Sequence, residues 1–162
     1  IDVQMGTLSK AAGSFGAYCC GSKSLISFLL NKARSFIYTT GMPPAVAAAS
    51  QKAIEIMAQE PDLRRRLWEN THLMHQALKQ MGFDMMQTQT PIVPILTKDS
   101  ALALEFSQRL FAEGIFISAI RPPTVPSHTA RLRLTLMATH VREDLDYTLE
   151  KLKVIGKELG LI

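Results

Sequence analysis

A glycine-bounded segment, Gly6–Gly16, constrains the fold and chemistry of this chain more than any other stretch. It carries one lysine, Lys10, and apart from Lys10 no charged residue lies between Asp2 and Lys23. Glycines permit a sharp backbone bend and the close approach of a ligand. The residues around the lysine are mostly apolar or small, which predicts that Lys10 is partly buried. Burial would lower the pKa of its amine and make it nucleophilic.

The same segment offers groups that suit an anion. Thr7 and Ser9 carry hydroxyls, and the glycine-rich backbone offers N–H groups, which together suit a phosphate. A nucleophilic lysine beside an anion site is what pyridoxal phosphate requires of a protein. A flexible surface turn with a solvated lysine is the alternative, since turns rich in glycine and serine are common.

Four separate blocks of sequence resemble one enzyme family. Gly6–Tyr18 resembles the cofactor-lysine signature of the α-oxoamine synthases, which are pyridoxal-phosphate enzymes. Ala33–Pro44, Ala119–Pro126 and Ala130–Thr135 match the family as well, in the same order along the chain. The resemblance covers essentially the whole chain. It implies an α/β fold, the C-terminal part of the aspartate aminotransferase-like (fold type I) fold of PLP-dependent transferases, ending in a small α+β domain.

The resemblance also implies roles for residues of the first third of the chain. Lys10 would bind pyridoxal 5'-phosphate covalently and, once freed, remove the Cα proton of the amino-acid substrate. Thr7 would contact the cofactor phosphate. Thr39 or Thr40 would contact the phosphate of the partner subunit's cofactor, in a homodimer with its active site at the subunit interface. From the residues alone, capping of the helix that follows is the commoner role for hydroxyls placed like those of Thr39 and Thr40.

Arginines are the candidate substrate ligands. Alternation along Ala130–Thr135 places Arg131 and Arg133 on one face of a strand, where simple solvent exposure is the alternative to a binding role. The resemblance implies that Arg133 binds the amino-acid carboxylate, for which a planar guanidinium is well suited, and that Arg131 supports the structure. Arg121 lies in a loop stiffened by three prolines, and would contribute to recognition of the acyl substrate or of its carrier.

Within the family, the run Ala119–Pro126 is most similar to members that join L-alanine to a pimeloyl thioester in biotin biosynthesis. The thioester would be carried either by CoA or by a carrier protein. The alternatives are a member that joins glycine to an acetyl thioester, another α-oxoamine synthase, or an inactive fragment. The last arises because the family's ring-stacking histidine, its aspartate for the pyridine nitrogen and its glycine-rich phosphate loop have no matching position here.

Composition narrows the other classes of function. The chain of 162 residues with 47% hydrophobic side chains can build the core of one domain or a little more. The formal net charge of +4 is dispersed, with Arg64–Arg66 as the one run of three, which disfavours nucleic-acid binding. Apolar stretches fall short of the roughly 18–20 residues that a membrane-spanning helix needs. We therefore expect neither a nucleic-acid nor a membrane partner.

The spacing of the cysteines and histidines disfavours both a disulfide and a metal site. Cys19 and Cys20 are adjacent, so on a strand they point to opposite faces, which disfavours a disulfide and fits a reducing cytoplasm. His72 and His75 lie three residues apart without further ligands nearby, so no metal site is expected.

Hydrophobic periodicity and turn residues predict the order of elements. We place a domain boundary near residue 60, with residues 1–60 forming the end of the large PLP-binding domain and a connecting helix, and residues 61–162 a small C-terminal α/β domain. Strands are predicted over 3–5, 16–20, 92–97, 115–120 and 130–137, with an extended link over 35–40. Helices are predicted over 22–32, 43–59, 62–81, 99–113 and 142–159.

Overall fold

The structure, a computed structural model, describes residues 1–162. The chain divides into two compact units, Ile1–Pro61 and Asp62–Ile162.

The first unit begins with an antiparallel hairpin. Strand β1 (Val3–Thr7) pairs with β2 (Ala17–Gly21), and the register sets Gly6 opposite Tyr18 and Thr7 opposite Ala17. The segment that holds Lys10 therefore forms the connection of this hairpin, as the two predicted flanking strands required.

Three helices follow in the first unit: α1 (Lys23–Lys32), α2 (Arg34–Ile37) and α3 (Pro44–Gln59). Ser22 caps α1 as predicted, because its side chain accepts a hydrogen bond from the backbone N–H of Leu25. Helix α3 begins at Pro44, where a proline costs no backbone hydrogen bond.

The prediction of an extended link over residues 35–40 is wrong in its first half. The carbonyl of Ala33 accepts from the N–H groups of Phe36 and Ile37, which closes the single turn of α2. No glycine or proline lies in this stretch to prevent a turn, and four residues are too few to show a helical period.

The second unit is built on a three-stranded antiparallel sheet. Strand β5 (Ala130–Thr135) lies in the centre, between β3 (Ile92–Lys98) and β4 (Ser118–Ile120). Helices α4 (Pro61–Met81), α5 (Ser100–Ala112) and α6 (Arg142–Glu158) complete the unit. Pro94 cannot donate to a ladder, and β3 is an edge strand with an irregularity between Leu96 and Lys98, as the proline predicted.

The hydrophobic core lies in this second unit. It joins one face of the sheet to the apolar faces of all three helices, and its fully buried members are Met74, Leu78, Val93, Ile95, Phe106, Leu110, Leu132 and Leu152. The helix stops are also as predicted, since Gly82, Gly114 and Gly160 all adopt positive φ.

Two strands are shorter than predicted. Residues 115–117 lie outside β4, because Ile115 donates to the carbonyl of Leu110 and the carbonyl of Ile117 accepts from the Ser107 hydroxyl at 2.6 Å. Strand β5 ends at Thr135, and beyond it Met137 donates its N–H to Nδ1 of His140 at 3.4 Å, which turns the chain away from the sheet.

Candidate functional site

Backbone hydrogen bonds give the lysine loop a defined shape. Leu8 donates to the carbonyl of Gly16, and Ser14 donates to the carbonyl of Leu8, both at 2.9 Å. Gly13 and Gly16 adopt φ of 57° and 95°, a region that side chains with a Cβ rarely occupy. These bonds and angles give the loop one defined backbone path.

Side chains tie this loop to helix α3 and fix one of its glycines. The Ser14 hydroxyl lies 2.8 Å from the Ser50 hydroxyl, and Ser50 is one of the few buried residues of the first unit. At the start of the loop, the Tyr18 ring occupies the place that a Cβ on Gly6 would take. A larger residue than glycine would displace that ring.

Lys10 is exposed, so the predicted partial burial is wrong. The apolar neighbours that suggested it do not enclose it: Met5 and Phe15 are themselves 75% and 72% exposed. The amine forms no hydrogen bond or ion pair in the structure, and no acidic side chain competes for it. Lys10 therefore presents a free amine at the tip of the hairpin connection.

Thr7 is positioned as part of a small hydroxyl cluster. Its Oγ1 lies 2.8 Å from the Ser9 hydroxyl, donates to the carbonyl of Gly16 at 3.2 Å, and accepts from the Ser9 N–H. These groups lie within three residues of Lys10 along the chain. An unpaired amine and clustered hydroxyls on one short loop fit a cofactor that carries one aldehyde and one phosphate.

Thr39 and Thr40 are exposed and lie between α2 and α3. The alternative that they cap α3 is wrong, because the N-cap of that helix is Pro43 and no side chain bonds to its first turn. Both hydroxyls are therefore available for another partner. Exposure and side-chain hydrogen bonding do not distinguish Thr39 from Thr40.

The two arginines of β5 differ in what their side chains contact. Arg131 donates from Nε to the carbonyl of Thr129 at 2.8 Å and from Nη1 to Sδ of Met86 at 3.1 Å. The guanidinium of Arg133 is exposed and has no hydrogen bond or ion pair. The guanidinium of Arg131 is thus engaged by contacts within the second unit, whereas that of Arg133 is free to bind a carboxylate.

Arg121 opens the predicted Pro-rich loop, and its carbonyl accepts from the N–H of Thr124 at 3.0 Å. The Arg121 side chain is exposed. The bond between Pro122 and Pro123 in this loop is cis.

Arg133 borders a cavity of about 630 Å³ in the second unit, which the sequence did not predict. Its walls combine apolar side chains, such as Met74, Ile117 and Leu134, with polar ones that include His140 and Asp144. The volume is within the range of about 300–1,000 Å³ that is usual for ligand sites. The walls come from four separated segments of the chain, so no local sequence pattern could predict the cavity.

No group of three or more His, Cys, Asp or Glu side chains is arranged to hold a metal ion. Neither cysteine forms a disulfide. None of the helices combines the length and the apolar character that crossing a bilayer demands.

Comparison with known proteins defines the class. The model of the aminotransferase class I and II family matches residues 2–152, and the chain belongs to that family. The expected α/β fold of PLP-dependent transferases is thereby confirmed.

Among curated proteins, the chain is similar to members of the α-oxoamine synthase branch that its sequence motifs resemble. The chain is 48% identical to the 8-amino-7-oxononanoate synthases of Geobacter sulfurreducens and Symbiobacterium thermophilum, over all of its own length. It spans 42% and 41% of those relatives, respectively, or about two fifths of their length.

Solved structures agree with this likeness. Serine palmitoyltransferase from Sphingomonas wittichii superposes with a TM-score of 0.93 at 30% identity, covering 100% of this chain and 41% of that one. The 8-amino-7-oxononanoate synthase of Francisella tularensis gives a TM-score of 0.85 at 26% identity, covering 97% of this chain and 46% of that one.

Proposed function

We propose that this chain is part of a pyridoxal-phosphate enzyme that condenses L-alanine with a pimeloyl thioester. In the balanced reaction, a bond forms between the alanine Cα and the acyl carbon. The Cα–carboxylate bond and the thioester C–S bond break, which gives 8-amino-7-oxononanoate, carbon dioxide and the free thiol of CoA or of a carrier protein. The product belongs to biotin biosynthesis. The observation that carries the proposal is an exposed, unpaired Lys10 on the same loop as the hydroxyl cluster of Thr7, in a chain 48% identical to synthases of this name.

The cofactor would be held by residues of the first unit. The Lys10 amine would bond to its aldehyde carbon. The hydroxyl of Thr7 would turn from the Gly16 carbonyl and donate to its phosphate. Thr39 or Thr40 would donate to a phosphate as well, on the cofactor of the partner subunit in a homodimer. When bound, pyridoxal phosphate supplies an electron sink that stabilises negative charge at the substrate Cα.

We assign binding of the alanine carboxylate and transfer of the Cα proton to residues of this chain. Arg133 would bind the alanine carboxylate with two parallel hydrogen bonds, since its guanidinium has no partner within the chain. Once the amino-acid substrate has displaced it from the cofactor, the Lys10 amine would take the Cα proton. Arg121 would contact the acyl thioester from the Pro-rich loop. We place the enzyme in the cytoplasm.

A second candidate is another α-oxoamine synthase. Serine palmitoyltransferases are among the structures most similar to this chain, with TM-scores up to 0.94. Glycine C-acetyltransferase, which pairs glycine with an acetyl thioester, is the remaining candidate of this class, and an inactive fragment is the alternative to all of them.

Turnover by the full-length protein tests the proposal. Alanine with pimeloyl-CoA or a pimeloyl carrier protein is compared with serine plus palmitoyl-CoA and with glycine plus acetyl-CoA, by mass detection of the amino ketone. We expect product from alanine and the pimeloyl thioester at the highest kcat/KM. Preference for either other pair would assign that activity instead, and no turnover of any pair would favour the inactive alternative.

A further inference from the structure

Arg131 joins two irregular segments of the second unit. One end of its guanidinium donates to the carbonyl of Thr129, at the end of the Pro-rich loop 121–129, and the other contacts Sδ of Met86. Arg131 is partly buried, whereas Arg133 on the same strand is exposed. The side chain therefore acts as a clamp between the loop and the turn that precedes β3.

The clamp extends into the loop through Thr129. The Thr129 hydroxyl donates to the carbonyl of Pro126 at 2.6 Å, and the Thr129 N–H donates to the same carbonyl at 3.3 Å. These bonds restrict the backbone between Pro126 and Thr129. The prolines restrict the backbone over the rest of the loop, back to Arg121.

The other anchor is also fixed. Met86 adopts a φ of 56°, and its N–H donates to Oδ1 of Asp84 at 3.0 Å. A side chain of this size in the left-handed region is held there by its surroundings. The buried Thr97 hydroxyl lies 3.0 Å from the carbonyls of both Ala130 and Asp99, which ties the start of β5 to the end of β3.

We propose that Arg131 is a positioning residue, which holds the Pro-rich loop so that Arg121 meets the acyl thioester. This inference rests on the proposed function. It separates the two arginines of β5 by substrate: Arg133 serves the amino acid, and Arg131 serves the thioester through the loop.

The first test uses Arg131→Met in the full-length enzyme, which keeps an unbranched apolar stem and removes the donors. We expect the KM for the pimeloyl thioester to rise about fivefold to tenfold, as the net loss of one hydrogen bond predicts. The KM for alanine and kcat stay within about twofold, and Arg131→Lys restores part of the loss because its ammonium can still donate to Thr129. Equal rises in both KM values, or no rise in either, would overturn the inference.

A matched pair at Thr129 tests the same clamp with little change in volume. Thr129→Val removes the hydroxyl that donates to Pro126, whereas Thr129→Ser keeps it. We expect the valine variant to raise the thioester KM and the serine variant to match the parent enzyme. If both variants match the parent, the clamp does not act through the loop. This pair also keeps the test available if Arg131→Met fails to fold.

A double-mutant cycle shows whether Arg131 acts through Arg121. If it does, Arg131→Met adds no further rise in thioester KM once Arg121→Ala is present. Additive effects would contradict the inference while leaving the proposed function intact. The proposed function fails separately, if the unmutated full-length protein does not turn over alanine and the pimeloyl thioester.

Discussion

The two units of the chain are organised by different kinds of interaction. In Ile1–Pro61 only Leu8 and Ser50 are buried, and shape comes from the hairpin ladder, positive-φ glycines and a helix cap. In Asp62–Ile162, by contrast, a continuous core joins the sheet to three helices.

This difference separates the residues that we assign to the cofactor from the residues that form the packed core. The first unit carries Lys10 and Thr7, the residues that we assign to the cofactor, on a connection held by backbone hydrogen bonds. The second unit carries Arg133 and Arg121 on a strand and a loop of a packed domain. Substitutions in the first unit should therefore change activity more than folding of this chain, and core substitutions in the second should do the reverse.

The largest expected effect is at Lys10. Lys10→Ala in the full-length protein should abolish turnover, with a loss of at least about 10²–10⁴-fold from proton transfer alone. Lys23→Ala, at the exposed start of α1, is the matched control and should keep activity. Steady-state assay of alanine and pimeloyl thioester measures both, and an active Lys10→Ala enzyme would remove the proposed role.

Arg133 should show a large but selective effect. Arg133→Ala removes the guanidinium that would bind the alanine carboxylate, so the KM for alanine should rise about tenfold to a hundredfold. Affinity for pyridoxal phosphate, followed by its absorbance, should change little. Equal loss of both affinities would point to a structural role for Arg133.

Stability of the 162-residue chain sharpens the contrast between the units. Phe106 is fully buried, and Phe106→Ala should cost about 3–5 kcal/mol of unfolding free energy through lost burial and a cavity. Phe28 on α1 is 60% exposed, and Phe28→Ala should change the value by no more than about 0.5 kcal/mol. Urea unfolding followed by circular dichroism measures both. A large cost at Phe28 would show that the first unit has a core of its own.

The smallest effect concerns a surface ion pair in the second unit. Glu113 accepts from Lys151 at 2.8 Å and from the Tyr147 hydroxyl at 3.1 Å, which lowers the pKa of the Glu113 carboxyl, with Lys151 as the larger cause. A lowered folded-state pKa means that the stabilisation is present above the ordinary value of 4.5 and is lost as pH falls through the folded value. Glu113→Gln should therefore lower Tm slightly at pH 7 and make no difference in strong acid. A Tm difference that persists in acid would assign the effect to shape and not to charge.

Much of the fold was predictable because its signals are local. Ser22, Pro44 and Gly82 mark helix ends by backbone chemistry, and apolar spacing around Met74 and Leu78 marks the buried face of α4. The turn of α2 and the early end of β5 were not predictable, because each depends on one or two hydrogen bonds that leave no periodic pattern.

The candidate site was predictable in residue type more than in environment. Motif resemblance identified Lys10 and Arg133, and the structure leaves both side chains exposed and without partners in this chain. Burial of Lys10 was expected from apolar neighbours in sequence, but neighbours in sequence enclose a side chain only if they turn toward it. The cavity beside Arg133 joins residues far apart in the chain, and so no spacing rule could find it.

Borohydride reduction of the full-length protein with pyridoxal phosphate tests the central claim most directly. Reduction makes a bond between a lysine and the cofactor permanent, and peptide mapping by mass spectrometry locates it. We predict a single modified peptide with the cofactor on Lys10. Modification of another lysine, or no stable adduct at all, would contradict the account.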